Sequence, residues 1–252
     1  MASVTSQVGE PIRDDVPVRM MLVGDSMTIG SAGEHTWRHR MWQHLGRAPG
    51  GPYQFVGPRT GLHDPLAGAP VSHDYADPAF PEDARRHLAG WGEGWLHMAP
   101  LIRDAVATHR ADVLLVSLGL IDLGFYTDAE RTAANVRRFV TEARSADPRI
   151  RIVALPVIPN VRARTDAPFD ATCERFNTLL ATAFADLATP ASPLVLASPP
   201  ADWVMEQDTY DGTHPSASGE HKLAAAFADA MHRAWQLGAP YRIGSLVVAE
   251  PA

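Results

Sequence analysis

The strongest constraint on the fold is an alternation. Short apolar runs are separated by stretches with helical periodicity, and the pattern holds from the first third of the chain to the last. The runs 18–23, 112–118, 150–157 and 194–197 are almost wholly apolar, without the every-second-residue pattern of a strand that has one wet face. Between them lie helical stretches at 34–45, 96–109, 128–145 and 169–187, and a last one at 216–237. Strands buried on both faces and linked by helices predict an α/β fold with a parallel sheet between two helical layers. A further strand is expected at Tyr53 to Val56, after the Gly/Pro turn Pro49-Gly50-Gly51-Pro52. Residues 59–81, rich in Gly, Pro, Asp and His, read as a long surface loop.

The 252 residues, 46% hydrophobic, suffice for one large domain, placed at 18–240. Residues 1–17 read as a flexible N-terminal segment and 241–252 as a C-terminal tail. The net charge of −7 offers no basic stripe for a phosphate backbone, so nucleic acid is not an expected partner. No run is long enough to span a bilayer, and the polar, acidic start lacks the apolar stretch of a secretory signal. With the single cysteine, Cys173, excluding an intrachain disulfide, the expected location is the cytoplasm. Cys173 itself reads as a small residue packed on a helix.

Ligands of such sheets bind at the carboxyl ends of the strands. There, after the first strand, stands Gly24-Asp25-Ser26-Met27-Thr28; near the other end of the chain stands Asp211-Gly212-Thr213-His214-Pro215. A serine hydroxyl is a weak nucleophile until a base removes its proton. His214, with Asp211 three residues before it, has the composition of a base and its orienting carboxylate. Each block alone is ordinary turn chemistry, and the second also reads as a turn capping the last helix through Ser216 or Thr213.

Together and in this order the blocks resemble those of the SGNH/GDSL hydrolase family, over a span from Met21 to about Phe227. The resemblance implies a three-layer, flavodoxin-like sandwich and hydrolysis of carboxylic esters or thioesters. It makes Ser26 the nucleophile, His214 the general base and Asp211 its orienter. The stretch His87-Leu88-Ala89-Gly90-Trp91-Gly92 is similar to the family's His-x-Gly-x-Ser-Gly block, which places the backbone N–H of Gly92, with that of Ser26, in the oxyanion hole. Gly90 and Gly94 are the competing alignments. The segment Gly119-Leu120-Ile121-Asp122 departs from the family's Gly-x-Asn-Asp: Ile121 has no amide to offer an oxyanion. Candidate replacements are Asn160, Tyr126, His63 and His73.

Among the aromatic residues, Trp91 and Trp95 flank the oxyanion glycine and are expected to touch substrate together with Ile121, whereas Trp37 and Trp42 suit the core. No metal or other cofactor is expected. The chain has 11 histidines, but His35 and His39, at helical spacing, lack the glutamate of a zinc motif and read as exposed. His221 and His232 read as surface or packing groups of the last helix. The expected function is a serine esterase-like hydrolase of a small-molecule acyl substrate, working through an acyl-enzyme at Ser26. Two alternatives remain: an acyltransferase or lactone-forming enzyme using the same acyl-enzyme, and a catalytically degenerate small-molecule binder motivated by Ile121.

Overall fold

A computed structural model describes residues 16–242. Its elements in chain order are β1 (Val18–Gly24), α1 (Ser26–Ile29), α2 (Thr36–Leu45), β2 (Tyr53–Phe55), β3 (Leu62–Asp64), β4 (Ala69–Ser72), β5 (Leu88–Ala89), α3 (Trp95–Met98) and α4 (Ile102–His109). There follow β6 (Val113–Ser117), α5 (Ala129–Ala146), β7 (Arg151–Leu155), α6 (Val161–Thr165), α7 (Ala167–Leu187), β8 (Leu194–Leu196), α8 (Met205–Asp208) and α9 (Ala217–Trp235). The main sheet is parallel with strand order β2-β1-β6-β7-β8, and β5 adds to β1.

Each central strand divides its side chains between two cores, as the two-residue period of a strand requires. Met20 and Leu22 of β1, Val113 and Leu115 of β6, and Val153 and Leu155 of β7 face α2 and α9. Met21 and Val23, Leu114 and Val116, and Ile152 and Ala154 face the layer of α3, α4, α5 and α7. Both faces are covered, which is why these strands read as continuous apolar runs. Burying one such Leu or Val contributes roughly 1.5–3 kcal/mol, so the central strands are the stable floor on which the loops stand.

Helix ends follow local chemistry. Asp128, Asp166 and Ser216 cap α5, α7 and α9 by accepting from Arg131, Phe169 and Gly219 N–H groups. Ser216, and not Thr213, is thus the cap of the last helix. The stretch expected as one helix over 96–109 is two: α3 ends at Met98 and α4 begins at Ile102, with Pro100 between them, a residue that cannot donate to the helical ladder.

Residues 59–81 correct a second expectation. They contain the antiparallel pair β3-β4 and bury Leu62, Tyr75 and Phe80 against Trp42, so they form a satellite core. Buried Arg38 ties this unit to α1: its guanidinium donates to the carbonyls of Thr28 (2.8 Å), Ile29 (2.9 Å) and Arg85 (2.9 Å) and to the Tyr75 hydroxyl (3.0 Å). The histidine reading changes too. His39 is buried, stacked on His35 (5.1 Å) and 3.1 Å from Asp77, because α2 turns this face toward Phe80 and not toward water. Burial lowers its pKa to about 4.

Cys173 is buried on α7, and burial pushes its thiol up to about 11. Trp37 lies fully in the core, stacked on Phe227, and Trp42 packs against it. His221 bonds the Tyr241 hydroxyl (2.8 Å), and His232 contacts the Gly238 carbonyl (3.2 Å), both packing roles. Tyr241 therefore docks on α9 and belongs to the domain, not to the expected tail. The expected flexible segment and tail otherwise lie almost wholly outside the described residues. No described helix is long and apolar enough to cross a membrane.

Candidate active site

The strands β1, β6 and β7 end at one level, with Gly24 opposite Ser117 and Ser117 opposite Leu155. Three loops therefore leave the sheet side by side. At the first, Asp25 caps α1 by accepting from the Met27 N–H (3.0 Å), and Ser26 becomes the first residue of a one-turn helix. Gly24 permits this corner, because a Cβ there would collide with Thr28 and lie 2.9 Å from the Ser117 carbonyl oxygen.

The turn 211–214 brings an imidazole to that hydroxyl. His214 Nε2 lies 2.9 Å from Ser26 Oγ, and His214 Nδ1 lies 2.6 Å from Asp211 Oδ2. The other carboxylate oxygen, Asp211 Oδ1, accepts from the backbone N–H groups of Thr213 (2.9 Å) and His214 (2.7 Å). Partial burial raises the Asp211 carboxyl, but the His214 ring and these two N–H groups outweigh it and hold it below its ordinary value. The carboxylate stays ionised and fixes the ring so that Nε2 faces the serine.

Rings flank the imidazole. Trp91 stacks on His214 at 4.8 Å between centroids and 17° between planes, His63 stacks on Trp91 at 4.1 Å, and Tyr210 stacks on His214 at 5.7 Å. The Tyr210 hydroxyl bonds the Glu34 carboxyl; burial, with that carboxylate, holds the phenol above its ordinary value and therefore neutral. Sequence reasoning missed Tyr210 and Glu34, since neither belongs to a motif.

Strand β5 explains the position of the glycine block. It extends the edge of β1 (Val23 opposite Leu88, Gly24 opposite Ala89), and Gly90 N–H then bonds the Gly24 carbonyl at 3.1 Å. The chain turns at Gly92, whose φ of +72° favours glycine. Gly92 lines the cleft with Ser26, while Gly90 and Gly94 do not. Behind the turn, the buried Asp122 accepts from the N–H groups of Trp95 (2.8 Å) and Leu96 (3.0 Å), and its carboxylate fills the space where a Cβ of Gly94 would stand. The aspartate of the third block is thus the clamp on the glycine loop. Burial raises its pKa, against the pull of those two N–H groups.

The cleft holds about 420 Å³, and Ser26 and His214 both line it. Leu120, Ile121, Phe125, Tyr126 and Phe169 supply most of its apolar lining, with Trp91. Trp95 does not reach the cleft. It is wholly buried and meets Phe139 edge-on at 5.1 Å, so the expectation of substrate contact is corrected: as the first residue of α3 it points into the core under the Gly92 turn. Asp25, behind the serine, is 2% exposed, and burial raises its pKa to about 7; the Met27 N–H lowers it and the nearby Asp122 adds to the rise. No cluster of three or more His, Cys, Asp or Glu suited to a metal occurs among the described residues.

The family described as GDSL-like Lipase/Acylhydrolase matches residues 22–222, which include both terminal blocks and the glycine loop. The chain belongs to that family, and it is a serine ester hydrolase by class. Similar solved folds include a carbohydrate esterase family 3 protein from Talaromyces cellulolyticus (TM-score 0.65, 23% identity, 83% of this chain and 94% of that one). A family 3 carbohydrate esterase from Clostridium thermocellum is also similar (TM-score 0.66, 17% identity, 86% and 96%). So is an acetylxylan esterase from Geobacillus stearothermophilus (TM-score 0.60, 14% identity, 84% and 93%). A search of curated proteins gives no match.

Proposed function

We propose that this protein hydrolyses a carboxylic ester or thioester of a small molecule through an acyl-enzyme at Ser26. The observation that carries the reading is the unbroken chain of contacts from Ser26 Oγ to His214 Nε2 (2.9 Å) and from His214 Nδ1 to Asp211 Oδ2 (2.6 Å). As Oγ attacks the carbonyl carbon, Nε2 takes the hydroxyl proton, and the imidazolium is held by Asp211. The carbonyl oxygen gains the negative charge, toward the N–H groups of Ser26 and Gly92. Collapse of the adduct breaks the bond to the alkoxide or thiolate, which leaves with the proton from Nε2. Water, deprotonated by the same nitrogen, then releases the acid and restores the serine.

A degenerate binder would have no use for this relay. Acyl transfer to a bound alcohol is the second reading, and the apolar wall of Leu120, Ile121, Phe125 and Phe169 favours it by giving an acceptor a dry surface to lie on. The similar folds, which include esterases named for acetyl and acetylxylan substrates, support short acyl groups on a larger alcohol. Ser26→Ala, assayed on p-nitrophenyl acetate beside wild type, is expected to lose about 10⁴-fold or more in kcat. Equal rates would end the proposal. A single equivalent of p-nitrophenol per protein, with further turnover only when an alcohol is added, would favour transfer over hydrolysis.

A further inference from the structure

The relay handles the proton, but the anion still lacks its side-chain donor. Ile121 lines the cleft at the third-block position and presents only hydrocarbon. We infer that the side-chain amide of Asn160 supplies this donor, reaching the oxyanion from the loop after β7 instead of the loop after β6. The inference rests on the acyl-enzyme reading above.

Asn160 is 3% exposed, yet it lines the Ser26 cleft and also a recess of about 20 Å³ that shares Leu120 and Thr213 with it and has Asp25 on its wall. A buried amide at the floor of a cleft is costly unless its groups are bonded. Here the orientation is fixed by one partner: Oδ1 accepts from the Ala163 N–H at 3.0 Å as the cap of α6, which puts Nδ2 on the other side. Nδ2 carries two N–H bonds, and among the described residues it has a single acceptor, the Ile158 carbonyl at 3.2 Å. One buried N–H is left for a ligand. β6 and β7 are neighbours with Ser117 opposite Leu155, so the loops bearing Ile121 and Asn160 leave the sheet at the same level.

The other candidate donors are less suited. Tyr126 is half exposed at the rim, with its ring against His97 at 4.8 Å. His63 lies behind Trp91 and does not line the cleft, and His73 is exposed on the chain after β4. Arg162 reaches the lining, but its guanidinium lies 4.0 Å over Phe169 and donates to the Gly124 carbonyl at 2.8 Å. Thr213 has a hydroxyl on the same lining, and Thr213→Val serves as a control.

The test must separate the donor from the cap. Asp and Ser cap helices as well as Asn does, so Asn160→Asp and Asn160→Ser keep the bond to Ala163 while removing the amide N–H. If Asn160 were only a cap, Asn160→Ala would be the worst of the three, and the other two would match wild type. As an oxyanion donor, all three lose about 100- to 1,000-fold in kcat on p-nitrophenyl acetate with a smaller change in KM. Asn160→Asp should be at least as poor as Asn160→Ala, because a carboxylate opposes the developing anion. Adding Ile121→Asn to the Asn160→Ser protein should recover at least tenfold, by returning an amide from the other loop. Asp and Ser variants within threefold of wild-type kcat, or a loss in Thr213→Val that equals theirs, would overturn the assignment. Ser26→Ala run in parallel separates the two levels: hydrolysis that survives it defeats the acyl-enzyme reading, whereas hydrolysis that needs Ser26 but not Asn160 defeats only the donor.

Discussion

In the reaction proposed above, the proton side and the anion side of this cleft are made differently. On the proton side, Asp211 and His214 sit in one four-residue turn that fixes its own carboxylate through two backbone N–H groups, and only Ser26 comes from elsewhere. On the anion side, Gly92, Ile121 and Asn160 come from three loops that share nothing but the level at which β5, β6 and β7 release them. A local turn tolerates little change, because each residue serves the others. A site assembled from separate loops can exchange one contributor for another while the scaffold stands, which is the exchange we infer between the positions of Ile121 and Asn160.

The contrast can be attacked from its strongest point downward. Asp211→Asn should keep the turn but lose the preference for the working tautomer of His214, lowering kcat by roughly 10³- to 10⁴-fold. A loss under tenfold would show that the exposed carboxylate matters little and that the proton side is looser than its hydrogen bonds imply. Asp122→Ala, on the anion side, strips the acceptor from the Trp95 and Leu96 N–H groups. Unfolding free energy should fall by about 1–3 kcal/mol, and kcat by roughly 10- to 100-fold as the Gly92 turn loosens. Thermal melting and initial rates on one preparation separate the two effects; a stability loss with unchanged kcat would mean that the turn holds itself.

Asp25, behind both sides, gives the most pH-dependent effect, and one on stability alone. Its folded pKa, about 7, is above the unfolded value of 3.8, so the folded state binds the extra proton. Its contribution to stability is fully present below the unfolded value and is lost as pH rises through about 7, by up to roughly 4 kcal/mol. An amide in its place is neutral at every pH. Asp25→Asn should therefore melt higher than wild type at pH 8, with the advantage shrinking toward pH 4. Parallel curves would show that the carboxyl is solvated in the folded protein.

Much of this was legible in the residues. The alternation of apolar runs and helical stretches gave the layers, since strands buried on both faces have no polar alternation to hide. The meeting of Ser26 with the Asp211 and His214 pair was legible because two tight turns hold them. The fate of Trp95 was not, because sequence proximity to Gly92 says nothing about which way the first residue of a helix points. The β3-β4 unit was hidden by its Gly and Pro content, and its core depends on Trp42 from another element. Asn160 could be suspected only as one of several polar loop residues; its burial and the fixing of its oxygen by Ala163 exist only once α6 has formed.

The stacking of Trp91 on His214 has an optical consequence. Indole emission depends on what lies against its face, so the emission of Trp91, stacked on His214 and on the lining of the cleft, should report changes at this point of the site. The chain has 6 tryptophans, and a difference spectrum against Trp91→Phe isolates this one. The protein thus carries its own fluorophore beside His214, and a ligand that enters the cleft against this stack should be seen as a change in emission without a coloured substrate.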